Sequence, residues 1–209
     1  MKVLMINGSP HKDGCTHMAL NIIADELKKH GAESEIIWLG NEPVRGCIGC
    51  GGCKKDNADG CVFGDDAINA VGEKIKYADG YIFGAPVHYA SPNGAIICAM
   101  DRLFYAFGKY MQFKPAASIV SARRAGTTAS YDVLNKYIGI NNMIQVPSNY
   151  WNMVHGNKAE DVLKDEEGVC IMRALGSNMA WLLKLLENAK GTEFEKPTVI
   201  NKVKTNFIR

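Results

Sequence analysis

The sequence has 209 residues, of which 47% are hydrophobic and 22% are charged, and its formal net charge is +2. A chain of this length can bury a full core without disulfides or a structural metal. The small net charge gives no reason to expect nucleic acid or an anionic membrane surface as a partner. The N-terminus enters a strand-like run at once, and apolar runs stay well short of about 20 residues. We therefore expect a cytoplasmic protein without a membrane span.

The hydrophobic pattern predicts strands that alternate with helices. Strands are predicted over residues 2–6, 35–39, 80–85, 116–121 and 142–146. Helices are predicted over residues 16–30, 65–77, 94–107, 128–137 and 166–190. Pro86 is expected to end the third strand, and residues 150–155 are predicted to form a loop. Because β-α-β order implies parallel strands, we predict an α/β fold with a doubly wound, five-stranded sheet in three α/β/α layers.

The domain is predicted to span residues 1–190. Within it, residues 40–66 lack periodicity, and residues 46–62 form a cysteine-rich loop. Residues 191–209 are predicted to be a C-terminal extension that packs on the body or on a partner subunit. In doubly wound folds, ligands bind beyond the carboxyl ends of the strands. The loops after the first, third and fourth strands are therefore the candidate site.

The loop after the first strand is typical of a phosphate-binding turn. It leads into the first helix and contains Ser9, His11, Gly14, Cys15 and Thr16. Small residues before a helix offer backbone N–H donors and the positive end of the helix dipole to an anion. The spacing matches neither a P-loop nor the dinucleotide Gly-x-Gly-x-x-Gly fingerprint. We predict a mononucleotide phosphate site, with an ordinary strand-to-helix turn as the alternative.

The two later loops combine small residues with aromatic and amide side chains. Their candidate ligand-binding residues are Pro86, Val87, His88, Tyr89 and Asn93 after the third strand, and Ser121, Arg123, Arg124 and Gly126 after the fourth. Small residues let the backbone approach a flat ring, while His88, Tyr89 or Trp151 would cover its face. Simple packing explains each aromatic residue equally well. The two arginines either stabilise negative charge on the bound ring or form a solvated pair.

Four of the seven cysteines fall in one short segment with the spacing Cys-x2-Cys-x2-Cys-x7-Cys, namely Cys47, Cys50, Cys53 and Cys61. Four thiolates at this spacing can ligate a [4Fe–4S] cluster. A zinc site, a dithiol–disulfide pair between the first two, or cysteines that hold no cofactor are the alternatives. The remaining cysteines, Cys15, Cys98 and Cys170, lie in predicted helical contexts and are expected to be small buried hydrophobes.

Over about residues 1–190, the sequence resembles the NADPH-dependent FMN reductase family of the flavodoxin-like superfamily, and in particular its iron–sulfur flavoprotein branch. The matching elements are Gly8-Ser9-Pro10 with Gly14 and Thr16, Pro86-Val87 followed by an aromatic pair and later Asp101-Arg102, and Arg123-Arg124-Ala125-Gly126. The resemblance implies the strand order 2-1-3-4-5. It also implies an FMN whose phosphate lies at residues 9–16 and whose ring lies against residues 86–89 and the third loop. His88 and Cys15 depart from the family, which commonly has tyrosine and a small polar residue there.

The resemblance implies an NAD(P)H-dependent FMN oxidoreductase that reduces a quinone, a flavin or a similar small acceptor. It also implies a homodimer or homotetramer with flavin sites near subunit contacts. The alternative is an electron carrier that passes electrons between FMN, a [4Fe–4S] cluster and a ferredoxin-like partner. A flavin-free regulatory or scaffold protein is a third hypothesis. Because flavin performs the redox chemistry, no catalytic residue is assigned, although His88 and Tyr89 are candidates for proton delivery.

Overall fold

The computed structural model describes residues 1–200 together with Val203, Thr205 and Phe207, so the predicted extension over residues 191–209 lies partly outside the described residues. The strands are β1 (Lys2–Asn7), β2 (Glu33–Trp38), β3 (Gly80–His88), β4 (Ser91–Pro92), β5 (Pro115–Ala122), β6 (Ile144–Gln145) and β7 (Met153–His155). The helices are α1 (Cys15–Lys29), α2 (Ile68–Ile75), α3 (Gly94–Phe107), α4 (Thr127–Ile140), α5 (Ala159–Val162) and α6 (Glu166–Ala189).

Five strands, the last of them only two residues long, form a parallel sheet in the order β2-β1-β3-β5-β6. Val3 of β1 pairs with Ser34 of β2 on one side and with Gly80 of β3 on the other. The two-residue β4 folds back antiparallel on the end of β3, and β7 adds a second short segment beside β5. The flavodoxin-like α/β fold class is confirmed. The strand order differs slightly from 2-1-3-4-5, which it matches only when the short β4 and β7 are left out, and the sheet has seven strands rather than five.

Within the fifth strand predicted over residues 142–146, only the two-residue β6 forms, and a separate short strand, β7, follows it. β6 pairs with the start of β5, and β7 pairs with its end. Pro147 lacks an N–H and cannot continue the ladder, so the chain leaves the sheet after β6. The side chain of Asn152 bridges the gap by donating to the Ser118 carbonyl at 3.1 Å. The prediction of a loop over residues 150–155 was therefore wrong, because Met153–His155 rejoins the sheet.

The third strand does not end at Pro86, as the sequence had suggested, but continues to His88. The pairing of β3 with β1 stops at Gly84, so the missing N–H of Pro86 removes no hydrogen bond on that side. On the other side, Pro86 pairs in register with Ser121 of β5. The longer strand carries the chain to the edge of the candidate site before it turns at β4.

Helices cover both faces of the sheet and bury two apolar clusters. One cluster contains residues from α2, α3 and α4, and the other contains residues from α1, α5 and α6. The predicted three-layer arrangement is confirmed. In length and composition, α6 is apolar enough to cross a membrane, contrary to the expectation from the sequence. Its apolar stripe, which includes Met172, Leu175 and Met179, is buried in the core, and core packing accounts for its composition.

The cysteines outside the cluster segment are less buried than predicted. Cys15 and Cys98 are only half-buried, and Cys170 on α6 is exposed. The buried stripe of α6 includes the next two residues, Ile171 and Met172, which directs Cys170 away from the core. The prediction that all three are buried hydrophobes was wrong for Cys170, because helical spacing near an apolar stripe does not fix which face a single residue occupies.

Candidate functional site

A cavity of about 750 Å³ lies at the carboxyl ends of β1, β3 and β5. This volume is within the range of small-molecule and cofactor sites. Nine of the predicted site residues line it, namely Ser9, His11, Gly14, Cys15, Thr16, Pro86, Val87, Ser121 and Arg123. The three loops that the sequence singled out therefore contribute to one cavity. Their individual roles toward a ligand stay predictions.

The N-terminus of α1 faces this cavity and is free for an anion. Gly14 is the N-cap residue, and no described side chain caps the helix. No acidic residue occupies the first turn, so the positive end of the helix dipole is available to an anion, and Asp13 directly before the N-cap is the nearest carboxylate in the cavity wall along the chain. Uncapped N–H groups at a helix start form a suitable site for a phosphate. The donor chemistry of this loop fits the phosphate of FMN.

Hydrogen bonds hold the loop before α1 in place. The Asn7 side chain accepts from the Ser9 N–H at 3.0 Å and donates to the Lys12 carbonyl at 3.0 Å. The Ser9 hydroxyl accepts from the His11 N–H at 3.1 Å. Trp38, at the end of β2, donates its indole N–H to the Ser9 carbonyl at 2.8 Å. The loop is thus shaped by its own sequence and by the neighbouring strand.

A buried pair of hydroxyls joins the first loop to the end of β5. Thr16 Oγ1 and Ser121 Oγ lie 2.8 Å apart, and both residues are buried. Gly84 of β3 leaves room for this pair, since a Cβ there would lie 2.8 Å from Thr16 Cγ2. Two hydroxyls with spare donor and acceptor capacity therefore meet in the cavity wall.

Cys15, the first residue of α1, is kept as a neutral thiol by its surroundings. Burial raises its pKa, with smaller contributions in the same direction from the Asp161 and Glu160 carboxylates, and these outweigh a backbone hydrogen bond. The thiol lies 3.4 Å from the Gly156 carbonyl, to which it donates. A neutral side chain at this position adds no charge that would repel a phosphate.

The other predicted ligand-binding residues do not line the cavity, namely His88, Tyr89, Asn93, Arg124 and Gly126. Asn93 is buried and donates to the Gly8 carbonyl at 2.6 Å, so it braces the first loop from behind. Tyr89 is fully exposed at the tip of the turn between β3 and β4. Both Tyr89 and Ala90 have positive φ values, 51° and 59°, which is a strained conformation for residues with a Cβ.

The cavity also has walls that sequence reasoning did not predict. They include Lys12, Trp38, Asn41 and the segment Gly156 to Glu160, which follows β7. The signal for Trp38 was available, because it lies at the carboxyl end of a predicted strand. No signal marked residues 156–160, because the preceding strand had been predicted as a loop.

The four clustered cysteines surround a second, smaller cavity together with Arg102 and Tyr105. Among the residues that the structure describes, no three His, Cys, Asp or Glu side chains are grouped as a metal-ion site. Zinc needs four sulfurs at about 2.3 Å from one point. In a [4Fe–4S] cube each thiolate binds a different iron, so the sulfurs lie further apart. The all-thiol donor set fits the chemistry of such a cluster. The cavity that the cysteines line is only about 20 Å³, room for about one water molecule, so the cysteine-rich loop must move outward to admit a cluster.

Fixed side chains support the last of these cysteines. Asn69 of α2 accepts from the Cys61 N–H at 2.8 Å and donates to the Cys61 carbonyl at 2.9 Å. Beneath the cavity, Asp66 forms a buried ion pair with Arg102. Burial alone would raise the pKa of Asp66, but hydrogen bonds from Arg102 and from the Ile68 N–H outweigh it and hold that pKa below its usual value.

Comparisons with known proteins identify the family of this chain. Residues 1–158 match the family model described as NADPH-dependent FMN reductase. An iron-sulfur flavoprotein of Methanocaldococcus jannaschii is 31% identical over 199 residues, covering 90% of this chain and all of that protein. The chain belongs to the NADPH-dependent FMN reductase family, in its iron–sulfur flavoprotein branch. Another iron-sulfur flavoprotein, from Methanosarcina thermophila, is 27% identical over 90% of this chain and 97% of its own length.

Solved structures support the fold of this FMN reductase family member. RosB, crystallised with 8-demethyl-8-formylriboflavin-5'-phosphate, superposes with a TM-score of 0.67 at 14% identity, covering all of this chain and 92% of its own. A flavodoxin from the domain Archaea gives a TM-score of 0.58 at 14% identity, covering 88% of this chain and 99% of its own. Family membership identifies the protein as an FMN-dependent oxidoreductase.

Proposed function

We propose that the protein is an NAD(P)H-dependent reductase in which FMN occupies the 750 Å³ cavity and delivers electrons to a quinone, a flavin or a similar small acceptor. The observation that carries this proposal is the uncapped N-terminus of α1 facing a cavity walled by β3 and β5. When bound, FMN supplies one- and two-electron redox chemistry. The protein supplies binding, orientation and electrostatics.

Each wall of the cavity has a distinct task in this proposal. The first-turn N–H groups of α1, with the hydroxyls of Ser9 and Thr16, hold the phosphate dianion. The chain at Pro86 and Val87 offers backbone groups and apolar contact to the ring. Arg123, exposed at the end of β5, provides positive charge at the cavity rim. Such charge favours the reduced, anionic form of a flavin.

Reversing the charge of Lys12 tests the flavin site. Lys12 lines the cavity and is exposed, so Lys12→Glu should fold while placing a carboxylate beside the phosphate. We expect FMN affinity, measured by flavin fluorescence, to fall at least tenfold. Lys28→Glu is the matched control, because it makes the same charge change in the last turn of α1. Equal FMN affinity in both variants would contradict the proposed phosphate position.

The nicotinamide part of the proposal needs its own assay. We expect the FMN-loaded protein to oxidise NADPH or NADH in steady state when a quinone is added. Absence of turnover with either nucleotide, combined with rapid reduction by a ferredoxin, would replace the reductase with the electron-carrier function described next.

The second candidate function is an electron carrier that links FMN to a [4Fe–4S] cluster and a ferredoxin-like partner. The cavity shared by the four cysteines favours it. The two cavities are also connected by α3. Asn93 lies at the start of α3 behind the phosphate loop, and Arg102 lines the cysteine cavity about 13 Å further along the helix axis. One core helix therefore begins behind the proposed phosphate site and reaches the cysteine cavity.

Iron and sulfide analysis of anaerobically prepared protein tests the cluster. We expect about four irons per chain, as [4Fe–4S] ligation requires. Cys61→Ser should lower the iron content strongly. Cys170→Ser is the matched control, because Cys170 is exposed on α6 and is not part of the cysteine cavity. Flavin absorbance without iron in the wild-type protein would reject the cluster and leave the reductase function in place.

We also propose that the protein is a cytoplasmic homodimer or homotetramer. Exposed aromatic side chains support a subunit contact, since Tyr150 and Trp151 pack edge to face at 4.6 Å on the surface. Exposed aromatic surface of this kind is enriched at protein interfaces. Light scattering at several protein concentrations would decide the oligomeric state, and a monomer at all of them would reject this part of the proposal.

A further inference from the structure

Arg102 of α3 is a charged residue held in the interior, with only 1% of its surface exposed. A guanidinium carries five N–H donors. Its Nε donates to Cys61 Sγ at 3.2 Å. One terminal nitrogen donates to the Arg45 carbonyl at 3.3 Å and to the Asp66 carboxylate. The other donates to the Phe63 carbonyl at 3.3 Å and to Asp66 at 3.0 Å. All five donors therefore have acceptors.

These acceptors lie on both sides of the cysteine-rich loop. Arg45 directly precedes residues 46–62, while Phe63 and Asp66 follow them. One side chain on a core helix thus fixes both ends of a loop that has little regular structure of its own. The fifth acceptor is the sulfur of Cys61. Seven residues separate Cys61 from Cys53, whereas only two separate each of the earlier cysteines from the next.

Stability alone does not explain why a charged pair is retained here. Burying two charges carries a desolvation penalty that a buried ion pair often fails to recover, and well-packed apolar residues can replace such a pair without loss. Arg102 also lies in a segment rich in core residues, with Leu103 next to it fully buried. The feature that an apolar residue would not reproduce is the set of directed N–H bonds, including the one to sulfur.

We propose that Arg102 is a positioning residue for the cluster: it holds Cys61 at the cavity that the other three cysteines also line, and it donates a hydrogen bond to the Cys61 sulfur. This inference rests on the proposed cluster. Hydrogen bonds to ligating sulfurs stabilise the added negative charge of the reduced cluster and raise its reduction potential. Asp66 neutralises the guanidinium and fixes its orientation, so the N–H donor aimed at sulfur keeps one direction.

The variant Arg102→Lys tests the inference, because it keeps the positive charge for Asp66 but loses the fork of donors. We expect less iron and sulfide per chain. In the chains that do assemble a cluster, we expect the reduction equilibrium to shift about tenfold toward the oxidised state, which is about 59 mV for one electron. The double variant R102M/D66L, which removes both charges together, should lower the potential in the same direction if the lysine variant does not fold.

A second experiment tests the role of Arg102 in protein that contains no cluster, beside the measurement of the reduction potential. In metal-free protein, limited proteolysis within residues 46–62 should be several-fold faster in Arg102→Lys than in the wild type, because the bonds to the Arg45 and Phe63 carbonyls that hold both ends of this loop are lost. FMN affinity, measured in the same preparations, reports whether the fold is intact. A wild-type protein with a cluster and an Arg102→Lys variant with the same iron content and potential would overturn the role of Arg102 alone. A wild-type protein without iron would instead overturn the cluster itself.

Discussion

Gly126 connects the second and third loops of the flavin site, and Gly126→Ala tests that connection. Gly126 precedes α4 with φ at +93°. A Cβ at this position would lie 2.7 Å from Ala90 Cα and 2.8 Å from Val87 Cγ1. The first neighbour is backbone and the second lines the cavity, so neither can move without opening the site. Alanine therefore strains the backbone and separates the two loops.

The matched control is Gly31→Ala. Gly31 also has a left-handed φ, +78°, but nothing lies within 4 Å of the position of its Cβ. The left-handed conformation costs a residue with a Cβ about 1–2 kcal/mol, so Gly31→Ala should lose about that much. Gly126→Ala adds the contacts with Ala90 and Val87, and overpacking of this kind typically costs about 1–3 kcal/mol more. We expect a total loss of about 2–5 kcal/mol.

Urea unfolding measures both losses, and flavin fluorescence titration measures the consequence for the site. We expect Gly126→Ala to bind FMN at least tenfold more weakly than the wild type and Gly31→Ala to bind it equally well. If the two variants lose the same free energy of unfolding, the loops do not approach each other closely at Gly126. If Gly126→Ala keeps full FMN affinity, the ring does not bind against these loops.

Other variants test the hydroxyl pair and the buried ion pair. Thr16→Val leaves Ser121 without its partner and removes a donor to the phosphate, so it should lose about 1–3 kcal/mol of stability and weaken FMN binding by about 10-fold or more. Ser130→Ala, which removes a buried hydroxyl without a described partner, should not lower stability and should leave FMN binding unchanged. Asp66→Asn leaves the charge of Arg102 unpaired and should cost about 3–5 kcal/mol at pH 7 in urea unfolding. Because the folded-state pKa of Asp66 is lowered, the wild type should lose this advantage as the pH falls below about 4, and a constant difference between the two proteins down to pH 2 would contradict the pairing.

The parallel sheet could be predicted from the sequence because each strand and helix is marked by a pattern within its own short segment. Apolar runs separated by amphipathic helices specify parallel strands, and the strand order followed from the family resemblance. The interruption of the fifth strand was not predictable in the same way. Pro147 shows that the ladder must stop, but only the fold brings the Asn152 side chain to the Ser118 carbonyl and returns the chain to the sheet. Without that return, residues 156–160 could not be placed at the cavity.

In the candidate site, too, the residues that are contiguous in sequence were predictable, and those whose position depends on the fold were not. The phosphate loop is contiguous in sequence and directly precedes a helix, so its cavity-lining residues could be named in advance. The aromatic residues after the third strand were predicted to cover a ring because they follow a strand end. Their position instead depends on the turn between β3 and β4, which places Tyr89 on the surface. A sequence does not show whether a strand ends at its last apolar residue or runs three residues further.

Arg102 shows most clearly that a motif can be recognised in the sequence while the contacts that define its role cannot. The pair Asp101-Arg102 was visible as a family match, yet no role followed from it, because the acceptors of Arg102 lie 36 to 57 residues away in the chain. Asp101 and Arg102 are adjacent on α3 but bind different partners. Asp101 accepts a hydrogen bond from the Tyr137 hydroxyl of α4 at 2.5 Å. One residue thus anchors α3 to α4 and the next anchors it to the cysteine loop. A substitution at Asp101 should therefore disturb helix packing and leave Cys61 in place, which separates the structural contribution of this pair from its contribution to the cluster.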